Sequence, residues 1–109
     1  MTMIGGNTKA FVQEIGRTFQ NDLGERVPTW GTTLTLTGWL DLMSGEAKYT
    51  YSTKLQESTH IFLCDYVEMD QHVHNKRMLI GRDCYDILLI DDPMGMHQHL
   101  EIYLRYVGE

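Results

Sequence analysis

KRMLIGRDCYDILLIDDP, residues 76–93, is the plainest two-stranded pattern in the chain. Two apolar runs, Met78 to Ile80 and Tyr85 to Ile90, flank Gly81, Arg82 and Asp83. Glycine takes positive φ at little steric cost, so a tight turn led by Gly81 joins two antiparallel strands. Asp91, Asp92, Pro93 and Gly95 end the second strand with turn chemistry. Beyond it, HLEIYLRYVG alternates: Leu100, Ile102, Leu104 and Tyr106 share one face, while His99, Glu101, Tyr103 and Arg105 share the other.

Towards the N-terminus, Ile61, Leu63, Phe62, Cys64 and Tyr66 make both faces of one run apolar, as in a strand covered on two sides. From Thr33 to Met43, Leu34, Leu36, Leu40 and Leu42 point one way and Thr33, Thr35, Thr37 and Asp41 the other. Gly38 falls on the apolar face, where a missing side chain permits a bend or the close approach of another backbone. Pro28 is expected to limit pairing near Trp30, because it has no N–H to give. Thr8 to Phe19 reads as a further strand, anchored by Phe11 and Ile15, that reverses at Asn21, Asp22 and Gly24. Between Ser44 and Thr59 the pattern fits a helical stripe and a strict alternation equally well. The fold class is therefore mainly β: a small antiparallel β-barrel or sandwich of about six strands, with one long loop or short helix after the second main strand. Residues 1–7, MTMIGGN, read as a flexible lead-in and 8–109 as a single domain.

A chain of 109 residues has room for one core. Nine basic against fifteen acidic residues give a formal net charge of −6, which argues against a protein that coats nucleic acid by neutralising phosphates. The same charge suits a duct that DNA traverses without sticking. Cys64 and Cys84 lie inside apolar runs without CxxC spacing, so both read as reduced, small hydrophobes of a cytosolic chain. No basic and apolar leader opens the sequence, and no apolar run approaches the roughly 20 residues a membrane helix needs, so no membrane partner is expected.

Chemistry-bearing patterns are weak. His72 with His74 and His97 with His99 form two HxH pairs, which on strands would share a face and together supply four metal ligands. Both pairs sit in turn-like polar segments, and the expectation is solvated histidines with no metal and no cofactor. No serine occupies a GxSxG elbow, no glycine-rich phosphate loop is present, and Asp91–Asp92–Pro93 reads as a turn. An enzyme is not expected. Lys76, Arg77 and Arg82 cluster around one hairpin, and three charges there in an acidic protein read as edge solvation or as pairing with a neighbouring subunit.

Taken in order, Trp30, GWLDLMSGE from Gly38, THIFLCDY from Thr59, KRMLIGRDCYDILLIDDP from Lys76 and the closing HLEIYLRYV resemble the head-tail joining, or head-closure, proteins of long-tailed bacteriophages and prophages. The resemblance covers about Phe11 to Val107. Members usually carry an Arg-Tyr pair at the end of the middle strand, where this chain has Asp65 and Tyr66. What the resemblance implies is a structural virion protein of the head-tail interface, made in the host cytoplasm. It would assemble as a twelve-fold ring under the portal and its adaptor protein. The ring would extend and close a channel for double-stranded DNA and dock a tail-side protein. On this implication the segment after the second main strand lines or closes the channel, through Ser44, Gly45, Glu46, Lys48, Tyr49, Tyr51, Lys54 and Gln56. Trp30, Trp39, Arg77, Arg82, Tyr103 and Arg105 are the candidate subunit or adaptor contacts. The alternatives are a tail-completion or tail-terminator ring protein and a small metal-binding barrel using the HxH pairs.

Overall fold

A computed structural model describes residues 4–43 and 57–109, with the side chains of 17–19 left aside. Six strands are present in this part of the chain: β1 (Thr8–Gln20), β2 (Arg26–Leu42), β3 (His60–Asp65), β4 (Lys76–Ile80), β5 (Asp83–Asp91) and β6 (His99–Gly108). They pair antiparallel and close in the order β1-β2-β3-β6-β5-β4, so the expected β class holds and the barrel form of it is the one adopted. Closure removes most of the edges that an open sheet would expose.

The core is what the alternation prescribes. Leu36, Phe62, Cys64, Met78, Tyr85, Ile87, Leu100, Ile102 and Leu104 point inward and are buried. Gly38 is the tight point. A Cβ there would sit inside the Leu63 carbonyl oxygen and 2.9 Å from the Phe62 ring, so β2 and β3 meet closely only because the side chain is missing. The β4–β5 turn has Gly81 at φ +61, with Ile80 paired to Asp83, as a two-residue hairpin requires. β3 lies between β2 and β6, with Phe62 and Cys64 fully inside and Ile61 and Leu63 half-buried on the outer face.

Two expectations are corrected, and a bulge in β5 is added. The inward residues of β1 are Ala10 and Val12, whereas Ile15 is 38% exposed and Phe11 is half-buried, because the strand's parity favours the smaller pair. Pro28 does not interrupt pairing and stands opposite Thr18 within β2. The Asn21 N–H to Glu25 C=O bond makes that pair a hydrogen-bonded one. Alternation then turns residue 28 away from β1, where no N–H is missed. In β5 the alternation slips between Ile87 and Leu89, so Ile87 and Ile90 both face inward across a bulge.

The β1–β2 hairpin is longer than the barrel. β4 pairs with β1 only from Phe11 to Glu14, and β3 pairs with β2 only from Gly38 to Leu42. Beyond Ile15 and Trp30 the two strands continue to their turn as a two-stranded arm, and the molecule measures 50 × 30 × 25 Å.

Candidate functional site

At the base of the arm, Arg77 on β4 lies over the Trp30 ring at 4.2 Å, and its Nε–H donates to Gln13 Oε1 at 2.9 Å. The pairing of Gln13 with Arg77 across β1 and β4 places the guanidinium there, and its attraction to the ring face fixes the indole. Beside them a groove of about 470 Å³ opens between Ile15, Thr29, Trp30, Gly31 and Asn75. Two candidate contact residues, Trp30 and Arg77, are thus brought together.

Trp39 stands elsewhere, on the outer face of β2 opposite Leu63. Its indole N–H donates to the Ile4 carbonyl at 3.1 Å. Asp65 completes this strap: its two carboxylate oxygens accept the Ile4 and Gly5 amides at 2.6 and 3.2 Å, and the Asn7 amide donates to the Gly38 carbonyl at 3.1 Å. Asp65 therefore holds residues 4 and 5 against the barrel.

On β6, Tyr103 donates its hydroxyl to Glu101 at 2.9 Å, and His99 meets the other Glu101 oxygen at 3.1 Å. Arg105 pairs with Asp86 at 2.9 Å and with Glu57 at 3.7 Å, and the Asp86 carboxylate holds the guanidinium protonated even more firmly than usual. Arg82 sits exposed on the β4–β5 turn, apart from the others. Lys76 departs from the expected basic cluster. Its side chain is 5% exposed, and the ammonium donates to the His72 carbonyl at 2.6 Å, with Glu14 at 3.3 Å and Asp70 at 3.6 Å. Burial of the stem and these acceptors turn it into a clamp between β4, β1 and the 66–75 connection, so it offers no charge to an outside polyanion.

The histidine pairs are not assembled. His97 is bonded to Asp92 through its backbone and ring and lies 4.6 Å from the Tyr66 ring, while His99 pairs with Glu101 and His72 borders Asp70. Among the described residues no group of three or more His, Cys, Asp or Glu side chains is arranged to hold a metal ion. Burial, with the neighbouring Asp65 charge, pushes the Cys64 thiol up to about 11, so it stays protonated and unreactive near neutrality. Both cysteines are free. The residues expected to line a channel, Ser44, Gly45, Glu46, Lys48, Tyr49, Tyr51, Lys54 and Gln56, lie outside the described residues.

No family model matches the chain, and no curated protein matches it. Among solved structures, the solution structure of protein SF1141 from Shigella flexneri 2a is similar over 100% of this chain and 99% of that one, with a TM-score of 0.72 and 17% identity. At that identity the likeness speaks to the fold. No helix among the described residues is long and apolar enough to cross a membrane.

Proposed function

We propose that the chain is a structural virion protein, a head-closure or head-tail connector that assembles as a ring under a portal and its adaptor, closes the DNA channel and docks the tail. The observation that carries this reading is the set of motifs behind the resemblance: GWLDL ends β2, HIFLCD is β3, KRMLIGRDCYDILLID is the β4–β5 hairpin and HLEIYLRYV is β6. Each is a wall of one barrel, so they act together as one structural unit. The interior of that barrel is filled by Val12, Phe62, Met78 and Ile102, none of them exposed, so no duplex runs through a single copy. The channel of this reading is the space that several copies enclose.

Charge fits the same role. Lys76, Arg77 and Arg105 are engaged within the molecule, and with a formal net charge of −6 the exposed Lys9, Arg26 and Arg82 are set in an acidic protein, which disfavours a grip on phosphates. A ring needs two different complementary patches on each subunit, because heterologous contacts close and isologous ones do not propagate. The test is co-sedimentation of the purified protein with DNA-filled capsids assembled without it. Binding to the capsids is the expected result. Binding to purified tails with none to capsids would replace this reading with a tail-side ring protein.

A further inference from the structure

No further inference is drawn: the strongest candidate, the exposed Met94 and Met96 side chains on the β5–β6 turn, where Met94 and His97 hold left-handed backbone, is an apolar patch with nothing in the structure to show what covers it.

Discussion

Replacing Gly38 by alanine tests whether β2 and β3 are as close as the barrel requires. The new Cβ would lie within the Leu63 carbonyl oxygen and 2.9 Å from two Phe62 ring carbons, where apolar contacts normally begin at about 3.5 Å. The oxygen is backbone, and Phe62 is fully buried, so neither can swing aside. Relief needs the strands to part by about 1 Å, which stretches ladder bonds from about 2.9 to about 4 Å and ends them. The β2–β3 ladder runs only from the Gly38–Cys64 pair to the Leu42–His60 pair, so the damage reaches a large part of it. Two or three lost bonds at about 1 kcal/mol each, with about 1–2 kcal/mol for overpacking around Phe62, sum to about 4 kcal/mol. Against a total of about 5–15 kcal/mol this is a severe loss, and the melting temperature should fall by about 15–30 °C. Urea denaturation followed by tryptophan fluorescence and circular dichroism measures it. Gly31→Ala is the control and should be neutral or slightly stabilising. A Gly38→Ala variant within about 1 kcal/mol of the wild type would refute the close approach of the two strands.

The Cys64 thiol is raised to about 11 in the fold, so the unfolded chain ionises first as pH rises. Stability is therefore full below about pH 8.5 and declines towards pH 11, by up to about 3 kcal/mol. Tyr85, raised chiefly by burial, and Tyr106, raised chiefly by Asp83, add a loss of the same sign above about pH 10. Cys64→Ala should remove the earlier part of this decline in denaturation curves taken across that range and leave the later part. Lys76→Met should cost about 1–2 kcal/mol, because the His72 carbonyl loses its charged donor while the carboxylates rehydrate, and should speed hydrogen exchange at the Lys76 amide. Asp65→Asn should accelerate hydrogen exchange at Ile4 and Gly5 while leaving the melting temperature almost unchanged, since the strap lies outside the core.

Much of the barrel is legible in the sequence because β2 and β6 alternate and Gly81 stands between two apolar runs. Even the role of Gly38 is readable from its place on the apolar face. What stays hidden has a common cause in long-range geometry. Phe11 and Ile15 are larger than Ala10 and Val12, but which parity faces inward depends on pairing with β4 and β2, not on β1 itself. The slip between Ile87 and Leu89 exists only against β6. Pro28 is tolerated because the far side of β2 has no ladder partner there among the described residues. At the surface, nothing local to Trp30 or Arg77 shows that one covers the other. Lys76 reads as an exposed charge, because its acceptors come from Glu14, Asp70 and His72 on other segments. The hold of Asp65 on Ile4 and Gly5 spans some sixty residues of sequence, so nothing local to Asp65 reveals it.

Whether copies of this chain close a DNA channel is tested most directly on DNA-filled capsids assembled without it. Purified protein is added, and nuclease-protected DNA is followed over time. Retention that rises with added protein, and saturates as the vertex fills, is the predicted result. Capsids that lose their DNA at the same rate with and without the protein would contradict channel closure.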